Sequence, residues 1–181
     1  LPEPTRQPVV TVRSSLIERV HDAGILAFGS RVELDGSVIR NVLQRETGTF
    51  GHGVHLSIQP EANVPSDGRI TGSRIENTFE AGINVYQSQA VIENTTVLGT
   101  SANAALGAFG DGVTVSGIIV PTGTWHEASV TLRRSRIGGS ARAAFSVYEA
   151  AASAEGLQAT CNALDIAIER LPRENSQEPT L

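Results

Sequence analysis

The sequence predicts an all-β fold: a right-handed single-stranded parallel β-helix of about five to six turns, with three short strands per turn and compact turns alternating with expanded ones. Three observations predict it. The motif Ser15-Leu16-Ile17-Glu18 returns as Ser73-Arg74-Ile75-Glu76 and as Ser135-Arg136-Ile137-Gly138. Short apolar segments alternate with polar residues at period two and are rich in β-branched side chains. Stacked on one another, these segments form columns that stay apolar. No stretch holds a helical period between caps. The nearest, 140–157, falls on the same strand columns.

Residues 1–8 carry Pro2, Pro4 and Pro8 and read as an extended arm. Residues 9–168 are the β-helix domain. Its first turn holds Val10-Thr11-Val12, Leu16-Ile17-Glu18 and Ile25-Leu26-Ala27. The second holds Val32-Glu33-Leu34, Val38-Ile39-Arg40 and Val54-His55-Leu56. The middle-strand positions 17, 39, 75, 97, 137 and 159 are separated by 22, 36, 22, 40 and 22 residues. Three inward columns follow: Val12, Leu34, Ile70, Ile92, Leu132, Ala154; Ile17, Ile39, Ile75, Val97, Ile137, Ala159; and Ile25, Val54, Ile83, Val113, Phe145. Two shrink to alanine at the last turn, so the core tapers there. Leu164-Asp165-Ile166-Ala167-Ile168 reads as a closing strand, and 169–181 as a polar tail.

The turn after each middle strand has its own column, Arg19, Asn41, Asn77, Gly99 and Gly139, rich in residues that tolerate a left-handed backbone. This column, followed by a Gly-Ile strand, resembles the right-handed parallel β-helix, or pectate-lyase-like, superfamily over about 9–168. The alternating turn lengths resemble repeat modules of bacterial secreted and cell-surface β-helix proteins. In the polysaccharide lyases of that fold, acidic residues on the first-strand face bind calcium and an arginine acts as base. Glu33, Asp35, Arg69, Glu93 and Arg133 have those residue types on the face that resembles it, but the family's active-site motif does not align.

That face also has a simpler reading. Its outward columns are Arg13, Asp35, Thr71, Glu93, Arg133, Glu155 and Thr11, Glu33, Arg69, Val91, Thr131, Ser153. Opposite charges adjoin on neighbouring turns: Arg13 with Asp35, Glu33 with Arg69, Glu93 with Arg133. The middle strand repeats the alternation with Glu18 and Arg40, where no family site is expected. A solvated ion-pair ladder is therefore favoured over an active groove.

The expanded turns are enlarged at two corners. One holds 43–52 and 100–111, ending in Phe50-Gly51-His52-Gly53 and Phe109-Gly110-Asp111-Gly112. The other holds 59–68 and 117–128 and borders the first-strand face, where it could wall a groove. Binding, if any, is expected from Asp67, Trp125, His126, Glu127, His52 and Asp111. His52 and Asp111 are equivalent positions about 10 Å apart, too far for a catalytic pair. They read as turn residues facing solvent. Trp125 reads as folded over a corner, with a sugar-stacking platform as the alternative. His55 reads as an exposed strand residue, and Cys161 as packed at the closing turn.

Composition excludes further chemistries. All 14 basic residues are arginine, so no Schiff-base or phosphate-loop lysine exists. A net charge of −5 disfavours a nucleic-acid partner. One cysteine forms no internal disulfide, and no metal-ligand spacing stands out. No segment is apolar enough for a transmembrane helix. The chain begins with Leu1 and lacks methionine, which reads as a processed protein or a piece of a longer one. The leading expectation is a non-enzymatic, secreted or cell-surface module, a rigid scaffold for binding or display, without cofactor. Its partner would be a polysaccharide or another surface protein. The alternative is a polysaccharide lyase or glycosidase with a groove on the first-strand face, calcium entering only there. A weaker third option is end-to-end assembly through edge strands.

Overall fold

The computed structural model describes residues 7–117 and 126–170. The arm residues 1–6, most of the tail (171–181), Trp125 and part of the 117–128 insertion lie outside the described residues. Within them the chain forms eighteen strands and no helix. Three six-stranded parallel sheets result, one strand per turn in each. The first contains β1 (Val9–Arg13), β4 (Arg31–Asp35), β7 (Asp67–Thr71), β10 (Gln89–Glu93), β13 (Ser129–Arg133) and β16 (Ala151–Glu155). The second contains β2 (Leu16–Glu18), β5 (Val38–Arg40), β8 (Arg74–Phe79), β11 (Thr96–Ser101), β14 (Arg136–Gly138) and β17 (Gln158–Thr160). The third contains β3 (Ala23–Phe28), β6 (His52–Ser57), β9 (Ala81–Tyr86), β12 (Asp111–Ser116), β15 (Ala143–Tyr148) and β18 (Leu164–Glu169). This is the right-handed parallel β-helix, of six turns.

All three inward columns pair in the expected register, and Ile166 extends the third. Their middle members, such as Leu34, Ile39, Ile75, Ile83 and Ile92, are fully buried. Each such side chain contributes about 1.5–3 kcal/mol through burial. The turn column adopts the left-handed backbone throughout, from Arg19 to Gly139, and Cys161 continues it. Cys161 is nevertheless exposed, not packed, since among the described residues no strand lies beyond β17.

Two devices hold the corners together. Hydroxyls stack along the first corner: the amide N–H of Ser15 donates to Ser37 Oγ, that of Ser37 to Ser73 Oγ, and that of Thr95 to Ser135 Oγ. Each hydroxyl also donates to the carbonyl two residues earlier, as Ser73 does to Thr71. Buried polar backbone is thereby satisfied where the ladder bends. At the next corner a glycine column faces the middle-strand residue one turn on. A Cβ at Gly24, Gly53, Gly82 or Gly112 would fall 2.1–2.4 Å from a methyl of Ile39, Ile75, Val97 or Ile137. In the last turn that facing position shrinks to Ala159, and the column there holds Ala144, which is fully buried.

Candidate functional site

The third sheet's outer face carries a cleft of about 750 Å³. Its floor comes from alternate residues of β9 and β12: Asn84 and Tyr86, Thr114 and Ser116. Its wall is the enlarged corner of the two expanded turns. Phe50 and Phe109 occupy equivalent places in those loops and share an unusual left-handed backbone (φ 63° and 65°), each followed by a glycine near 98–99°. A bulky residue in that region is strained and persists only when its surroundings hold it. Here the carbonyl of the compact turn below does so. Asp22 accepts from the amides of Gly51 and His52 (2.8 and 2.9 Å), and Glu80 from those of Gly110 and Asp111 (2.9 Å each).

Glu80 ties both loops together with its side chain. Oε1 accepts from the Phe50 amide (2.8 Å) and from Asn103 Nδ2 (2.9 Å), and Oε2 lies 3.1 Å from His52 Nε2. Burial pushes this carboxyl up, but the bonds from His52, Asn103 and Phe50 outweigh it and hold Glu80 below its ordinary value. Its ionised oxygen therefore accepts a hydrogen bond from His52 Nε2. His52 stacks on His55, ring planes within 3° and Nδ1 atoms 2.8 Å apart. Asn84 Nδ2 lies 3.1 Å from the same His55 Nδ1. Burial first, and the adjoining His52 second, push His55 down to about 4, so its imidazole is neutral at physiological pH.

A second cluster closes the other end. Arg142 binds buried Asp111 and the Tyr148 hydroxyl, and its Nη1 reaches Glu169 at 3.1 Å. Asp111 Oδ1 also accepts the Ala143 amide at 3.0 Å, and Thr114 Oγ1 donates to Oδ2 at 3.3 Å. Although desolvation opposes it, Asp111 and Tyr148 raise the affinity of Arg142 for its proton. From His55 to Tyr148 the cleft spans three rungs, about 14 Å. Phe50, Tyr86, Phe109 and Tyr148 supply ring surface along it. Ser116 is buried, lines the cleft, and its Oγ has no partner among the described residues.

Several expected site residues stand elsewhere or differently. His52 and Asp111 are two turns apart in one column, as expected, but they are buried, not solvent-facing. Each is folded under its loop against Glu80 or Arg142. His55 is half-buried by Phe28, Phe50 and His52, not exposed. The cleft is walled by 43–52 and 100–111, on the third sheet. His126 and Asn63 join the other pair of insertions (2.8 Å), while Glu127 is exposed. On the first sheet the expected pairs do not form: Glu33 meets Arg13 diagonally and Arg31 on its own strand, while Arg31 and Asp67 face each other directly. Glu33 lies 3.7 Å from Arg13 and 3.8 Å from Arg31, Asp67 lies 4.0 Å from Arg31, and Glu93 takes Arg134. Asp35, Arg69 and Arg133 make no ion pair among the described residues. Glu18–Arg40 forms as expected, at 2.8 Å.

Glu80, Arg142, Tyr86, Tyr148 and Asn84 were not singled out from the sequence. The tyrosines have a readable signal, since Tyr86, Ser116 and Tyr148 are one outward column. Glu80 has none, because its role depends on loops from the turns on either side of it. Among the described residues no group of three His, Cys, Asp or Glu is placed to hold a metal ion, and no helix is long and apolar enough to cross a membrane. Neither a family model nor a curated protein matches the chain.

Proposed function

We propose that this protein is a non-enzymatic binding module of a secreted or cell-surface protein, and that its ligand, a saccharide, sits in the third-sheet cleft. The observation that carries the reading is the cleft itself. Its 750 Å³ fall within the usual range for ligand sites, and it joins ring surface to polar groups held by buried networks. Pyranose rings present apolar C–H faces and hydroxyl rims, a match for phenylalanine and tyrosine rings beside Asn84, Thr114 and Ser116. Ser116, on the cleft floor, has no hydrogen-bond partner for its Oγ among the described residues. The first-sheet carboxylates Glu33, Asp67 and Glu93 are already committed to arginines.

One observation favours a catalytic alternative. Glu80, His52 and His55 form a chain of hydrogen-bonding groups ending in a neutral imidazole in the cleft. A panel of neutral and acidic polysaccharides separates the two readings. Binding without release of reducing or unsaturated ends, lost on Phe109→Ala, supports the module. Release of such ends, abolished by His55→Gln, supports the enzyme. Binding that survives Phe109→Ala and Tyr148→Ala contradicts both placements.

A further inference from the structure

We propose, resting on the third-sheet cleft as the ligand site, that this cleft admits uncharged saccharides and turns away acidic ones. Charge around it is lopsided. Three carboxylates line or underlie the cleft: Glu80 directly before β9, Asp111 at the start of β12 and Glu169 at the end of β18. A ligand lying along the cleft therefore passes a carboxylate in each half. Among the described residues one guanidinium lines it, that of Arg142. Counting His52 as a second cation still leaves the carboxylates in excess. Arg45 lies over the Phe50 ring, and there Asp22 pairs with it. The chain as a whole carries a net charge of −5, so its wider field also repels anions.

Arg142 is not free to receive an acidic sugar. Its Nη2 binds Asp111 and the Tyr148 hydroxyl, its Nη1 reaches Glu169 at 3.1 Å, and its Nε is buried. A sugar carboxylate has to displace one of these partners. Displacing Asp111, fully buried, leaves a lone charge in the interior, which is costly. Displacing Glu169 sets two carboxylates side by side at the same guanidinium. The remaining groups suit hydroxyls instead. Burial raises the Tyr86 phenol above its ordinary value, so it keeps its proton, and the His55 imidazole is neutral. With Ser116 they form a row of uncharged groups, each able to donate or to accept, as a sugar hydroxyl is. A carboxylate only accepts, and here it gives up its hydration without gaining a cation. The cleft thus discriminates by repulsion as well as by fit.

Matched oligosaccharides test this. Gluco-, manno- and galacto-oligosaccharides, each as the neutral sugar and as the corresponding uronate of equal length and linkage, are titrated into the whole chain by calorimetry at pH 7. For every series that binds, the uronate is expected to be weaker by about tenfold or more. Because the difference is electrostatic, raising the ionic strength from about 0.01 M to about 0.15 M is expected to narrow it. Glu169→Gln, at an exposed position, is expected to raise uronate affinity about threefold relative to the neutral partner, with unchanged β-sheet circular dichroism. A uronate bound as tightly as its neutral partner, or more tightly, overturns the proposal and leaves the cleft standing as the ligand site. A gap that responds neither to salt nor to Glu169→Gln overturns it too. No binding by any member of the panel, or neutral binding that survives Phe109→Ala and Tyr148→Ala, overturns the cleft as the site and the proposal with it.

Discussion

The first and third sheets are built from the same number of strands in the same register, yet their outer faces are used differently. On the first, charged side chains stand in solvent and pair at long range, as Glu33 does with Arg13 one turn away and with Arg31 on its own strand. On the third, charges are drawn under loops. Asp111 is fully buried against Arg142, and Glu80 holds His52 and the Phe50 amide. The difference comes from the corners. The 43–52 and 100–111 loops fold back over the third face and remove water from it, which strengthens every polar contact beneath them. A charged column on an uncovered face is worth little. The same residue types under a loop form a site.

The sharpest break of this comparison is Asp111→Asn. It leaves Arg142 without its buried partner and is expected to cost about 3 kcal/mol, or roughly 10 °C in melting temperature. A loss below 1 kcal/mol would place Asp111 energetically with the first face. Next comes pH. The unfolded chain takes up the His55 proton near the ordinary 6.5, whereas the folded chain holds it off until about 4. Stability from the neutral imidazole is therefore full above 6.5 and is lost as pH falls toward 4. Denaturant titrations across that window should show a decline of about 2–3 kcal/mol, absent in His55→Gln. The lowered Glu80 carboxyl acts in the same direction at lower pH. Third, Phe109→Ala is expected to weaken saccharide binding about tenfold, near 1.4 kcal/mol, by calorimetry. Last, Glu18→Gln, which removes the partly exposed pair with Arg40, is expected to change stability by about 0.5 kcal/mol or less.

The repeat made the fold legible in considerable detail. Val12, Leu34 and Ile70 could be stacked by counting, because a parallel ladder keeps one register from turn to turn. The column from Arg19 to Gly139 announced its left-handed backbone through asparagine and glycine. The site was less legible, for two reasons. Ion-pair partners follow side-chain reach as well as column position: Glu18 met Arg40 in its column, but Glu93 met Arg134 instead of Arg133. The burial of His52 and Asp111 depends on how non-repeating loops fold back, and strand periodicity says nothing of that path. Glu80 lies in a compact turn without an insertion of its own, and it matters only because two neighbouring turns lean on it.

An amide-resolved nuclear magnetic resonance titration of the whole chain with neutral and acidic oligosaccharides tests whether the ligand sits on the third face. A ligand in the third-sheet cleft is expected to shift Asn84, Thr114, Ser116, Phe109 and Tyr148, with the first-sheet residues Glu33, Asp35, Glu93 and Arg133 unmoved. Shifts centred on those first-sheet residues, or none in the cleft with any sugar tested, would contradict it.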